Sequence, residues 1–157
     1  MKIMGIDQSL NGTAVCIVED GILIDFSITR SDKSQDVFQR ALYIALSISD
    51  LYGRYKPDVV HIEGLAFGMR GNATRDLAGL LFTIVNVLTL YHPSAKMLII
   101  PPTTLKKFAT GSGKSKKINM IAALPEDIRK KFTDANYKKT TGLADLADSY
   151  HLANYKT

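Results

Sequence analysis

Asp7 closes an apolar run, Ile3-Met4-Gly5-Ile6-Asp7, and Glu63 closes another, Val59-Val60-His61-Ile62-Glu63. A third acidic unit, Asp145-Leu146-Ala147-Asp148, lies in an apolar helical stretch near the C-terminus. Carboxylates at the ends of buried elements are costly unless a cation sits among them. Three such elements, far apart in the chain, point to one shared divalent-metal site. On a helix Asp145 and Asp148 share a face. An oxygen-only set suits magnesium, which takes near-octahedral oxygen ligands and keeps some waters. Two such ions roughly 3.5–4 Å apart can activate a water on one side of a phosphodiester and stabilise the leaving oxygen on the other. For a short basic chain, cleavage of a nucleic-acid backbone is the simplest use of that chemistry.

The elements that must position these acids are legible as hydrophobic pattern. Residues 2–7 read as a strand buried on both faces. Asn11-Gly12 and Asp20-Gly21 are tight-turn signals, and the runs 13–18 and 22–29 between and after them are β-rich. The opening is therefore a three-strand antiparallel meander. Residues 34–55 carry Val37, Ala41, Ile44, Ile48 and Leu51 at helical spacing, and Pro57 follows. Val59–Glu63 returns as a buried strand. Residues 64–72 form a glycine-rich loop. Residues 74–91 form a second helix that is apolar almost all round, so it needs cover on more than one side. A sheet covers one side and a second subunit covers the other, which predicts a homodimer through the 74–91 helix. Met97–Ile100 is a further parallel strand, stopped by Pro101-Pro102. Short helices fit 103–109 and 114–124, and the last helix spans 143–155. The order β-β-β-α-β-α-β-α is an α/β fold: a mixed sheet, antiparallel at first and then parallel, flanked by helices, as in the ribonuclease H-like arrangement.

Size and charge narrow the class further. A chain of 157 residues predicts one domain, 1–157, with a usable core. No apolar run reads as a membrane span, and Asp7 interrupts the first run before a signal peptide could form. The expected location is the cytoplasm of a bacterial or phage-infected cell. Cys16 stands alone, which excludes an internal disulfide and a cysteine-based zinc site; it reads as a buried structural thiol. The formal net charge is +5, and its distribution says more than its size. Between Lys96 and Lys117 there are six lysines and no acid: Lys96, Lys106, Lys107, Lys114, Lys116 and Lys117. A second basic run holds Arg129, Lys130, Lys131, Lys138 and Lys139. Beside an acidic site, such clusters suit phosphate contact.

With those pieces in place the chain resembles the RuvC family of Holliday junction resolvases. The matching segments are Gly5-Ile6-Asp7-Gln8-Ser9 with Thr13, His61-Ile62-Glu63 followed by Phe67, Leu105-Lys106 with Thr110-Gly111-Ser112-Gly113 and Lys117, and Asp145-Leu146-Ala147-Asp148-Ser149. They occur in the family's order across nearly the whole chain. The resemblance implies a ribonuclease H-like fold, a symmetric dimer and magnesium-dependent paired nicks across a four-way DNA junction, with manganese as a possible substitute. It also implies 5′-phosphate and 3′-hydroxyl ends. Asp7, Glu63, Asp145 and Asp148 match the family's catalytic carboxylates, and Lys106 and Lys117 match its basic residues near the scissile phosphate. Phe67, on a glycine-flanked loop, could stack on an unpaired base or equally serve as a core aromatic. Arg70, Arg75, Lys107, Lys114 and Lys116 are further candidates for DNA contact. Two departures stand out. Gln8-Ser9 replaces the family's usual Pro-Gly after the first aspartate, and the segment between Lys117 and Asp145, which carries the basic stretch 125–139, is longer than in the common bacterial form.

Rival readings follow from the same residues. Gly113-Lys114-Ser115 looks like the end of a phosphate-binding loop, but Phe108 stands where that motif requires glycine. Actin-like nucleotide-binding domains also open with a strand, an aspartate and a threonine turn, yet they enclose nucleotide between two domains. A non-catalytic junction-binding module and a nuclease acting on other nucleic acids remain as alternatives. His61 lies within a buried strand and reads as structural.

Overall fold

A computed structural model describes residues 1–66 and 71–156. Five strands form one sheet: β1 (Lys2–Asp7), β2 (Thr13–Glu19), β3 (Ile22–Thr29), β4 (Val59–Glu63) and β5 (Met97–Ile100), in the order β3-β2-β1-β4-β5. β1–β2 and β2–β3 pair antiparallel, whereas β1–β4 and β4–β5 pair parallel. The mixed sheet expected from the sequence is present. Asp20 and Gly21 both adopt positive φ in the β2–β3 hairpin, matching the twist of the strands they join.

Helices cover both faces, and the strands divide their side chains between two cores with period two. Met4 and Ile6 of β1 face one core, with Val15 and Ile17 of β2. That core is closed by α1 (Val37–Tyr55) and α2 (Asn72–Tyr91). Ile3, Ala14, Cys16 and Val18 face the other core, closed by α5 (Glu126–Asp134) and α6 (Leu143–Ala153). Two short helices, α3 (Pro102–Thr110) and α4 (Lys117–Ala122), bring Leu105 and Met120 against Leu152 in a third, smaller cluster.

Boundaries differ from expectation where side chains intervene. α1 starts at Val37 because Asp36 caps it, accepting from Phe38 N and Gln39 N at 2.9 Å. It ends at Lys56 in the left-handed conformation, just before Pro57. α4 begins at Lys117 rather than 114, which leaves Lys114 and Lys116 on the preceding loop. The segment 125–139 contains a helix that the sequence reading did not assign. In α5 the pair Ile128 and Phe132 is buried, and Phe132 packs edge-on to Phe26 with ring centroids 4.8 Å apart. The expectation about membrane length also needs correcting. Among the described residues α2 is long and apolar enough to cross a bilayer by length and composition. Its inner stripe, Leu80, Ile84, Val87 and Leu88, is buried in the core shared with α1.

α6 crosses the sheet in direct contact with it. Gly5, Cys16 and His61 are cross-strand partners in one row. Each holds a different part of α6. Ser149 Oγ donates to Cys16 Sγ at 3.1 Å. His61 Nδ1 lies 2.7 Å from the Leu152 carbonyl oxygen. At Gly5 the helix backbone itself sits on the strand: a Cβ there would lie 2.1 Å from the Ser149 carbonyl oxygen and 2.5 Å from Ala153 N. Gly5→Ala should therefore destabilise the fold by about 1–3 kcal/mol or more, as overpacked cores do. Urea denaturation would read this as a lowered midpoint; an unchanged midpoint would refute the close approach.

Candidate active site

The row that grips α6 also aims the acids. Asp7 is two residues beyond Gly5, and Glu63 two beyond His61, so both project from the same sheet face toward α6. The β1–β4 register pairs Ile6 with Ile62, which sets Asp7 beside Glu63 at the two strand ends. The first two turns of α6 then present Asp145 and Asp148 to them. Asp7 and Asp148 are each only 9% exposed. Asp145, half-buried, lies toward solvent.

Electrostatics record the convergence. Desolvation holds the Asp7 carboxyl well above the usual carboxylate range; the charges of Glu63, Asp148 and Asp145 and a hydrogen bond to Glu63 add to it. Burial also raises Glu63, while its bond to Asp7 and the charges of Lys106 and Lys117 oppose the rise. Asp148 is pushed up to about 7, first by burial and then by Glu63, with Lys117 and Lys106 pulling the other way. Lys117 Nζ stands 3.3 Å from Asp145 Oδ1. Burial disfavours its charge, yet Asp145, Asp7 and Asp148 together keep the ammonium above its ordinary value.

Among the described residues, no three acidic, histidine or cysteine side chains stand at the spacing of a closed metal shell. The carboxylates form a cluster rather than a finished ligand set. Their chemistry fits a hard divalent cation. The set is all oxygen, its members are desolvated and mutually repelling, and the buried Asp148 Oδ1 has no hydrogen-bond partner.

The structure thus brings together Asp7, Glu63, Asp145, Asp148, Lys106 and Lys117. Lys107, Lys114 and Lys116 are exposed on α3 and the loop before α4, and among the described residues none of them stands in an ion pair. Arg75 lies on the exposed first turn of α2 and pairs with Asp76 at 3.4 Å. Phe67 and Arg70 fall outside the described residues. One residue that the sequence flagged only as a departure has a structural part. Gln8 is buried, and its Nε2 donates to the Glu63 carbonyl oxygen at 3.0 Å, tying the end of β1 to the end of β4. Its position directly after Asp7 was the available signal. His61 and His151 are committed to the carbonyl oxygens of Leu152 and Met120, which leaves neither poised as a general base.

No family model matches the chain. In sequence it is 24% identical over 132 residues to the crossover junction endodeoxyribonuclease RuvC of Synechococcus sp. (strain WH7803), across 82% of this chain and 84% of that protein. It is 26% identical over 159 residues to the protein of the same name from Salinispora arenicola (strain CNS-205), across 98% of this chain and 85% of the relative. In structure it matches Thermus thermophilus RuvC with a TM-score of 0.72 at 16% identity, across 98% of this chain and 91% of that one. The same Thermus protein in complex with a Holliday junction substrate also gives a TM-score of 0.72. The fold is therefore the mixed-sheet, ribonuclease H-like fold of RuvC, and the chain is similar in sequence to RuvC proteins.

The raised Asp148 value has a sign that can be checked. Its protonated form is favoured by folding, so that contribution is full below about pH 4 and is lost as pH rises through about 7. In chelator, Asp148→Asn should raise the melting temperature most at pH 8, less at pH 5, and leave it nearly unchanged only near pH 4 and below. The gain at pH 8 should be on the order of a few kcal/mol. A variant no more stable than the parent at pH 8 would show that Asp148 is not strained by its neighbours.

Proposed function

We propose that this chain, RuvC-like in fold and sequence, is a structure-selective DNA endonuclease that resolves four-way junctions by paired hydrolysis of phosphodiesters. The observation that carries the reading is the meeting of four carboxylates from β1, β4 and α6 with two lysines from α3 and α4. A binding module has no use for so costly a cluster. A nucleotide-binding domain would need a second domain to close over its ligand.

Asp7, Glu63, Asp145 and Asp148 would hold divalent cations, and we take these to be two magnesium ions, with manganese able to substitute. Bound there, the cations supply Lewis-acid activation of water and stabilisation of the leaving oxygen. Protein groups do the rest. Asp7 and Glu63 are fixed by the strand ends, and Gln8 keeps those ends in register. Lys106 and Lys117 stand where negative charge develops on the scissile phosphate and stabilise it. The acids must shed their protons before they can act as ligands, so cation affinity should rise with pH. The partner is branched DNA, and the working compartment is the cytoplasm of a bacterial or phage-infected cell.

Paired nicks need two active sites, and α2 offers a face for a second copy. Phe82, Leu90 and Tyr91 are exposed on it, and Phe38 and Leu42 are exposed on the adjacent α1. Between the two helices lies a groove of about 440 Å³ lined by Val37, Phe38, Ala41, Gly79, Leu80 and Thr83 among others. Apolar surface of this extent is costly in water and suits a symmetric dimer. Phe82→Asp should convert a dimer to a monomer in sedimentation equilibrium and turn paired nicks into single ones. A wild-type protein that sediments as a monomer would remove this assembly.

The central test is cleavage of end-labelled synthetic four-way junctions and matched linear duplex, with magnesium or chelator. Magnesium-dependent, symmetric nicks confined to the junction are expected. Asp7→Asn should abolish them while junction binding persists. Lys117→Met should lower the rate by about 10²–10³, the cost of losing one charge-stabilising donor. Cleavage retained in Asp7→Asn would remove Asp7 from the chemistry.

A further inference from the structure

The second basic run divides into two parts in the structure. Arg129, Lys130 and Lys131 ride on α5, which packs Ile128 and Phe132 into the core. Their charge is diluted by Glu126 and Asp127 in the first turn and by the Lys130–Asp134 ion pair at 2.7 Å. Lys138 and Lys139 are different. They lie in the tight turn that leads into α6, where the Lys138 carbonyl oxygen accepts from Thr141 N at 2.9 Å and Leu143 N at 3.0 Å. Both are exposed, and among the described residues neither stands in an ion pair.

Arg30 joins them from the sheet. β3 runs parallel to β1, since both are antiparallel to β2, so its C-terminal end lies at the carboxylate end of the sheet. Asp7 pairs with Ala14 and Ala14 with Ile28, which puts Ile28 in the same row and on the same face as Asp7. Arg30 is two residues further out on that face. Its Nη2 donates to the Thr141 carbonyl oxygen at 2.9 Å, directly before α6. Gly142 closes the contact: a Cβ there would lie 2.2 Å from Ile28 Cδ1 and 3.7 Å from Arg30 Nη2. Arg30 too is exposed and has no carboxylate partner among the described residues. Asp32, near it in sequence, is turned to accept from Ser34 N at 2.9 Å.

The carboxylates therefore lie between two groups of cations. Lys106 and Lys117 stand on the β5 side; Arg30, Lys138 and Lys139 stand on the β3 side. Two strand spacings separate Asp7 from the β3 row, roughly 10 Å, or about three nucleotides of axial rise. We propose that Arg30, Lys138 and Lys139 form a second phosphate-binding bank that holds the backbone of a bound DNA arm about three nucleotides from the scissile phosphate. The inference rests on the reading of the chain as a DNA endonuclease and assigns a role to its 125–139 segment.

The test is binding of a synthetic four-way junction in chelator, followed by fluorescence anisotropy from about 50 to about 200 mM salt. Lys138→Gln/Lys139→Gln should lower the log–log salt slope by about 1.8. Its weakening relative to wild type should then shrink roughly tenfold across that salt range. Arg30→Gln should lower the slope by about 0.9, and Arg30→Lys should restore it. If wild type cleaves junctions but both neutral variants keep its slope, the bank is overturned and the endonuclease reading stands. If Arg30→Lys is as impaired as Arg30→Gln, Arg30 acts through Thr141 rather than through phosphate and leaves the bank. A wild-type protein that neither binds nor cleaves junctions overturns both.

Discussion

The contact between α6 and β1 at Gly5 is the constraint on which the site depends. No other residue type lets a helix backbone lie against a central strand at this distance, because any Cβ would occupy the space of the Ser149 carbonyl. Cys16 and His61, flanking Gly5 across the sheet, then fix the helix along its axis through Ser149 and Leu152. With the helix seated, Asp148 is close enough to Asp7 and Glu63 for their charges to act on one another. A one-residue slip of β1 against β4 would turn Asp7 to the opposite core. Gln8, bridging to the Glu63 carbonyl oxygen, works against that slip.

This precision has an electrostatic cost. Three carboxylates that burial and mutual repulsion drive toward their protonated forms are a destabilising element of the apo chain. Among the described residues only two lysines oppose the rise, and Lys117 is largely exposed, so solvent screens its contribution. The rest of the fold offsets the strain through two ordinary apolar cores, one on each face of the sheet. Sites that run chemistry commonly carry such perturbed groups, and structural ion pairs can produce them too. What separates this cluster from a structural network is its imbalance: four acids face two bases, and a buried carboxylate oxygen has no partner.

Much of this was legible in the sequence. The hairpin signals at Asn11-Gly12 and Asp20-Gly21, the helical spacing from Val37 to Leu51 and the buried run Val59–Glu63 all became the elements they announce. Asp7 and Glu63 could be nominated because they close apolar strands, Asp145 and Asp148 because they share a face within an apolar helix, and Lys106 and Lys117 through the family resemblance. The missing parts were those decided by tertiary contact. Nothing local distinguishes Gly5 from a glycine tolerated within a strand; its importance appears only when α6 is laid on it. α5 carries a readable signal, a proline followed by Glu126-Asp127 and an Ile128–Phe132 pair at i, i+4, but it was overshadowed by the density of charge around it. The start of α1 moved because a capping aspartate competes with the helical pattern, and the pattern alone does not show where that competition ends.

The two faces of the sheet do different work, and this separation explains the odd composition of α2. The α6 face holds the carboxylates and presents cations to either side of them. The opposite face carries α1 and α2, whose inner stripes fill an apolar core built on Met4, Ile6, Val15 and Ile17. α2 is apolar on its outer side as well, with Phe82 and Leu90 in solvent, and a helix needs only one apolar stripe to dock on a sheet. The surplus apolar surface is therefore unexplained by folding and calls for cover from outside the chain. A second copy seated there would lie on the sheet face away from the carboxylates, so assembly would leave each active site open. Two sites built this way would share no residues and would be separated by the α1 and α2 layers and the sheet of each copy. Coordination of two cuts would then have to come from the DNA that both sites grip.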